Sequence, residues 1–241
     1  MWRCLAVVLI SGCATSGVAF QKSNLDTVLD ARNAADDAKD ITTLEAKDAE
    51  LKGRMETWVV FISDMSGFSK LTREKGIAWF LAQIRRMELV ALPLLQRHQC
   101  ELVKQYGDDL FIVSKDPKRL VAFARDFLAA LEVEKQRGHP LNVSIGIAQG
   151  EVLRVGTDLF GEPVNRASKL GEDMGEAEEL LLGIEVFEAL SPELKVGCVV
   201  QPEGTREAKF PFALCTKRSA GSAGASRGDL TADGERATIT P

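Results

Sequence analysis

The chain has no cysteine pattern of the kind that staples a small fold. Its five cysteines, Cys4, Cys13, Cys100, Cys198 and Cys215, are odd in number, widely spaced and without a Cys-x-x-Cys. Disulfide frameworks and zinc ribbons need such spacing, so free thiols in a reducing compartment are expected. The two histidines, His98 and His139, have no cysteine or carboxylate partners at ligand spacing, which argues against a zinc site. There is no excess of basic charge: the formal net charge is -5 and the pI is about 5.3. That argues against a nonspecific nucleic-acid binder, which needs a basic footprint. It leaves room for a nucleotide site in which a cation supplies the positive charge. The apolar run Leu5 to Ile10 is far shorter than the roughly 20 residues a membrane span requires.

The composition, 45% hydrophobic and 27% charged, is that of an ordinary globular protein. A domain of this size buries about 70% of the surface its unfolded chain exposes, so its core needs no covalent staple. Residues 1–20 stand apart. Arg3 precedes the apolar run, and Ile10-Ser11-Gly12-Cys13 has the small-residue pattern of a signal peptidase site and resembles a bacterial lipoprotein box. This segment reads as a signal-like, lipoprotein-like or anchor segment, with a misassigned start as the bland alternative. Residues 21–56 read as a helical feeder. They are rich in Ala, Asp, Glu, Lys and Leu, and Leu25, Val28, Leu29, Ile41, Leu44 and Leu51 fall at partly helical spacing. The apolar stripe is thin, which suits an exposed helix, a short coiled coil or a dimer contact.

The globular pattern runs over residues 57–216. Thr57 to Ser63 reads as a buried strand, followed by the turn Asp64-Met65-Ser66-Gly67-Phe68-Ser69 and a long amphipathic helix from Ile77 to Gln99. Cys100 to Tyr106 and Leu110 to Ser114 read as a hairpin about Gly107-Asp108-Asp109. Asp116-Pro117 opens a second helix with Leu120, Phe123, Ala124, Phe127, Leu128 and Leu131 on one face. Strands are expected over Leu141 to Ala148, Val152 to Val155, Leu180 to Leu182, Val196 to Val200 and Phe210 to Cys215. Short helices are expected over Pro163 to Leu170 and Ile184 to Leu190. Residues 217–241 are dominated by Gly, Ala, Ser and Thr and read as a disordered tail. The order β-α-β-β-α-β predicts an α+β, ferredoxin-like palm: a mostly antiparallel sheet with helices packed on one face.

Two aspartates fall at strand ends in this layout. Asp64 closes the first strand and Asp108 sits in the hairpin turn. With the helix as crossover, the first and second strands are expected to be neighbours, which lets the two carboxylates converge. Two ionised carboxylates at close range repel unless cations lie between them. Mg²⁺ is the hard ion that suits carboxylate and phosphate oxygens together. Two such ions can clamp the attacking and leaving oxygens of an in-line phosphoryl displacement. Gly67, in the turn that opens the next helix, permits close backbone approach, and the helix start favours anionic oxygens. Taken singly, each feature has a plainer reading, a helix cap for Asp64 and a turn for Gly107-Asp108-Asp109.

At these residues the sequence resembles the class III adenylate and guanylate cyclase family. Phe61 to Ser69 resembles the first metal motif and Val103 to Asp108 the second. Val143 to Val152 resembles the strand and turn that follow, and Asp158 to Leu170 the substrate-reading segment. The resemblance implies that Asp64 and Asp108 bind two Mg²⁺ or Mn²⁺ ions with help from the Met65 carbonyl. It implies that Gly67, Phe68 and Ser69 face the triphosphate, that Lys104 and Asp158 read the base, and that Asn165 orients the ribose. Lys169 stands where the family usually has arginine, the residue that stabilises phosphate charge in the transition state. It also implies a homodimer whose two sites draw metal residues from one subunit and base-reading residues from the other. Arg206 or Lys209 would reach the γ-phosphate.

Lysine only donates hydrogen bonds and aspartate only accepts them, so Lys104 and Asp158 match adenine N1 and its exocyclic amine and mismatch guanine. The implied activity is adenylate cyclase: ATP to cyclic AMP and pyrophosphate, in signal transduction. Lys169 lacks the planar fork of arginine, so reduced turnover is expected, and a weak or inactive nucleotide-binding domain and a guanylate cyclase stay open. Tyr106-Gly107-Asp108-Asp109 also resembles the YxDD turn of template-dependent polymerases, but the chain lacks room for fingers and thumb. The expected setting is cytoplasmic, because export would place the domain where ATP is scarce. Membrane association through residues 1–20 stays open, and the sequence names no regulator.

Overall fold

The protein is described by a computed structural model covering residues 23–216. The expectations for residues 1–20 and for the tail after Thr216 lie outside these residues. The chain divides into two compact units after Met55.

The first unit is a helix pair, α1 (Asn24–Ala38) and α2 (Ile41–Lys52). Ser23 and Asp26 form a reciprocal capping box at the start of α1, and Asp40 caps α2. Val28 and Ala35 are buried, no residue of α2 is buried, and Arg32 pairs with Asp48 at 2.7 Å.

The second unit holds β1 (Glu56–Met65), α3 (Phe68–Lys75), α4 (Ile77–His98), β2 (Glu101–Tyr106), β3 (Asp109–Ser114) and α5 (Pro117–Gln136). It continues with β4 (Val143–Val155), β5 (Asp158–Phe160), α6 (Glu162–Ser168) and a π-helical segment, Lys169–Met174. Then come β6 (Leu180–Gly183), α7 (Ile184–Glu188), α8 (Pro192–Lys195), β7 (Cys198–Gln201) and β8 (Phe212–Cys215). The strands form one sheet in the order β2-β3-β1-β4-β6-β8-β7, with β5 on β4. Every pairing is antiparallel except β4 with β6. This is the α+β, mostly antiparallel palm the sequence predicts.

Side-chain alternation along β1 divides the core in two. Val59 and Phe61 join Met87, Leu120, Phe123 and Phe127 of α4 and α5 on one face. Val60 and Ile62 join Phe111, Ala148 and Ala167 of α6 on the other. Helices therefore cover both faces, not one, and that is why β1 reads as an unbroken apolar run.

Two details of strand order depart from expectation. The neighbour of β1 is β3, with Ser63 opposite Leu110, and β2 lies at the edge. Also, β4 is one continuous strand where the sequence predicts two, since pairing with β1 runs unbroken through Trp58 opposite Gly150 and Glu56 opposite Val152.

The cysteine expectation is overturned at one edge. Cys198 and Cys215 stand opposite each other on β7 and β8 and form a disulfide. A pair separated by 17 residues escapes a search for short cysteine spacings, because strand register alone brings it together. Cys100 is a free thiol, and burial pushes its pKa up to about 11. Among the described residues, no helix is long and apolar enough to cross a membrane.

Candidate active site

Asp64 is the penultimate residue of β1, where it lies opposite Ser144 of β4. Asp108 sits in the β2–β3 turn, and Gly107 takes the left-handed conformation (φ 61°) that lets the turn close. Because β3 lies beside β1, this turn is carried next to Asp64. Carboxylate oxygens of Asp64, Asp108 and Asp109 all lie within 4.8 Å of one another. Asp109, the first residue of β3, was not anticipated as a site residue. The sequence assigns it to the turn, and the proximity of the carboxylate oxygens places it in the cluster.

Electrostatics mark the cluster. Burial, followed by the charges of Asp108 and Glu172, raises the pKa of Asp64 above the usual carboxylate range. Burial also raises Asp108. Asp109 is pushed up to about 7 by burial and by the charges of Asp108, Glu172 and Asp64. Glu172 belongs to the π-helical segment, so that segment adds a fourth negative charge to the field at the cluster. Half-buried carboxylates that repel one another and offer only oxygen donors fit a hard divalent cation. Met65 follows Asp64 as the last residue of β1, with its side chain in the core.

The second grouping is a pair. Lys104 Nζ lies 2.6 Å from Asp158 Oδ2, joining the edge strand β2 to the short strand β5. Lys104 also lies over the Phe111 ring at 5.4 Å. A register shift in β2 between Leu102 and Lys104 sets the lysine's position. Burial opposes the charge on Asp158, but the hydrogen bonds from Lys104 and from the Leu159 N–H outweigh it and lower its pKa.

The third grouping is the segment that follows. Asn165 is exposed on α6, and Lys169 opens the π-helical segment, 3.7 Å from Asp173. Glycines allow this segment to lie against the sheet backbone. A Cβ on Gly146 would stand 2.1 Å from the Ala167 carbonyl and 2.4 Å from the Gly171 nitrogen, and Ser144 Oγ donates to the Gly171 carbonyl at 2.6 Å. π-Helical turns recur at functional sites.

Gly67 caps α3 in the left-handed region at φ 76°, so the turn after Asp64 leads straight into a helix start. The backbones of Phe68 and Ser69 form the first turn of α3, while their side chains lie outside the described set. Arg206, read from the sequence as reaching the γ-phosphate, is engaged within the chain. Its guanidinium is bound to Glu179 at 2.9 Å and to the Met174 carbonyl at 2.9 Å, which ties down the end of the π-helical segment. Lys209 is exposed.

The comparisons with known proteins agree with this architecture. Residues 50–209 match the family model of the adenylate and guanylate cyclase catalytic domain. An uncharacterized protein of Mycobacterium tuberculosis is 32% identical over 108 residues, covering 45% of this chain and 28% of its own length. A protein of the same organism named adenylate cyclase is 27% identical over 149 residues, covering 56% of this chain and 33% of its own length. The chain thus spans about a third of the curated relatives it matches. The crystal structure of the catalytic core of a rhodopsin-guanylyl cyclase with converted specificity, in complex with ATPalphaS, superposes with a TM-score of 0.56 at 24% identity. That match covers 67% of this chain and 96% of the other.

Fold and site together define a nucleotidyl cyclase palm. The chain belongs to the adenylate and guanylate cyclase catalytic domain family.

Proposed function

We propose that this chain is an adenylate cyclase, converting ATP to 3′,5′-cyclic AMP and pyrophosphate as a homodimer. The observation that carries the choice of ATP is the Lys104–Asp158 pair at 2.6 Å. It presents one donor and one acceptor side by side, the pattern that complements adenine N1 and the exocyclic amine. Guanine offers the opposite pattern and leaves both groups mismatched, at about 1–3 kcal/mol each.

Asp64 and Asp108, with the Met65 carbonyl, would hold two Mg²⁺ or Mn²⁺ ions. When bound, these ions neutralise the triphosphate and make the ribose 3′-hydroxyl more acidic. The remaining work belongs to the chain. Lys104 and Asp158 orient the base, and Asn165 orients the ribose so that its 3′-oxygen lies in line with the α-phosphorus. Lys169 places positive charge where phosphate charge grows. The backbone amides after Gly67, at the start of α3, face the outgoing phosphates. The carboxylate cluster and the Lys104–Asp158 pair serve complementary halves of two sites related by the two-fold axis.

A weak cyclase, or a domain that binds nucleotide for regulation, is the second reading. It is favoured by Lys169, which lacks the arginine fork and lies near Asp173 at 3.7 Å. One assay separates the two. The purified protein is incubated with each of ATP, GTP, CTP and UTP, with Mn²⁺ or Mg²⁺, and products are identified by mass. Cyclic AMP from ATP alone supports the reading, cyclic GTP-derived product redirects it to a guanylate cyclase, and no cyclic product from any nucleotide overturns it.

A further inference from the structure

Arg166 lies between Asn165 and Lys169 in the substrate-reading segment, and neither the metal cluster nor the base-reading pair uses it. Its guanidinium is engaged by two carboxylates and an aromatic ring. Nη1 donates to Glu185 Oε1 at 2.9 Å, while Nη2 stands 3.0 Å and Nε 3.2 Å from the two carboxylate oxygens of Glu162. The guanidinium also lies 5.4 Å from the Phe210 ring, in the connector between β7 and β8. Glu185 Oε1 accepts a second hydrogen bond, at 3.1 Å, from the backbone N–H of Gln149 on β4. The preceding Gly183 makes room for this carboxylate, because a Cβ there would stand 2.5 Å from the same oxygen. One carboxylate oxygen thus joins α6, α7 and β4.

We propose that Arg166, through Glu185, is the positioning residue that sets the place and rotation of α6, and with it Asn165 and Lys169. This rests on the cyclase reading for the roles of those two residues. α6 runs directly into the π-helical segment at Lys169, where the α-helical hydrogen-bond register is not continued. Tertiary contacts of α6 therefore share in fixing its place and rotation. The far end of the segment is tied by Arg206 to the Met174 carbonyl, and Arg166 is the corresponding tie at the near end. The arginine fork grips two carboxylates at once, which a lysine at this position cannot do. An exposed ion pair contributes little to stability. The effect of breaking this one is expected in the geometry of the site, where displacement by about 1 Å costs up to about 100-fold in rate.

The test uses the full chain and the variants Arg166→Gln, Arg166→Lys, Glu185→Gln and the double Arg166→Gln/Glu185→Gln, with Arg85→Gln as the control. Arg85 pairs with Glu88 on the exposed side of α4. Steady-state kinetics are measured with Mn²⁺ and ATP. The side-chain amide resonance of Asn165 is followed by nitrogen-15 NMR, and thermal unfolding is recorded for each protein. The expected result is kcat lower by about 10- to 100-fold in Arg166→Gln and Glu185→Gln, with KM within about twofold of the parent. The double variant should be no worse than either single change, and Arg166→Lys should recover part of the loss. The Asn165 resonance should move in the two single Gln variants and stay in place in the control. Unchanged kcat with an unmoved resonance overturns the proposal. So do losses that add in the double variant, or that follow unfolding temperature instead of the resonance. If the parent protein forms no cyclic product from any nucleotide, the cyclase reading fails. The resonance then decides the positioning role by itself: movement in both single Gln variants supports it and constancy sinks it.

Discussion

Lys104 and Asp158, 54 residues apart, meet with Nζ 2.6 Å from Oδ2 and form a donor and acceptor side by side on the outer part of the sheet. Lys104→Gln keeps a donor but loses the charge and the fixed pairing with Asp158. Its kcat/KM for ATP should fall by about 10- to 100-fold, in line with a loss of about 1–3 kcal/mol of discrimination, while the value for GTP changes little. A preference for ATP over GTP that is unaltered in this variant would remove the pair from base reading.

The carboxylate cluster makes a pH prediction. The ordinary value for Asp109 is 3.8, and in the folded protein it is pushed up to about 7. A carboxyl raised on folding keeps its proton in the folded state between those two values, so stability falls as pH rises through that window. Asp64 and Asp108 are raised too, and act in the same direction. Metal-free protein should therefore lose unfolding temperature from about pH 4 to about pH 7, and Asp109→Asn should flatten the decline. Added Mn²⁺ should raise the unfolding temperature more at pH 8 than at pH 5, because the ions replace the lost protons. A rising or level profile for metal-free protein counts against the cluster.

If the two groupings serve different subunits, chains deficient in one should rescue chains deficient in the other. Asp64→Ala and Lys104→Gln proteins, each of low activity, are mixed after joint refolding. Half the dimers are then hybrids with one intact site of two, so about a quarter of the parent activity should return. Sedimentation should show a dimer. Activity that stays at the level of the separate variants would dismiss the shared site.

Lys169→Arg restores a planar fork at the position from which phosphate charge is met. Its kcat should rise by about tenfold with little change in KM. Product formation that is equal in both proteins would show that the lysine is not limiting.

The disulfide between Cys198 and Cys215 closes a separation of 17 residues across β7 and β8. Loop-closure entropy assigns about 3 kcal/mol to such a link. Cys215→Ser, or full reduction of the parent protein, should lower the unfolding temperature by roughly 6–12 °C. The variant itself should be insensitive to reductant. Equal unfolding temperatures in oxidised and reduced protein would show that the link contributes nothing to stability.

Local chemistry and periodicity carried much of this protein in the sequence alone. The apolar run along residues 57–63, the Gly107-Asp108 turn and the helix cap at Asp116 are set by neighbours a few residues away, so the elements and the palm class could be read directly. The positions of Asp64 and Asp108 at element ends follow from the same local rules. What depended on strand order could not be read this way. Asp109 joins the cluster because β3, not β2, lies beside β1, and Cys198 meets Cys215 because β7 and β8 pair in one register. Arg206 meets Glu179 and the Met174 carbonyl, and Arg166 finds Glu185, only after β6 aligns with β4. Each of these contacts joins residues far apart along the chain. Their free energy exists only once the sheet has closed, and so only the tertiary structure decides it.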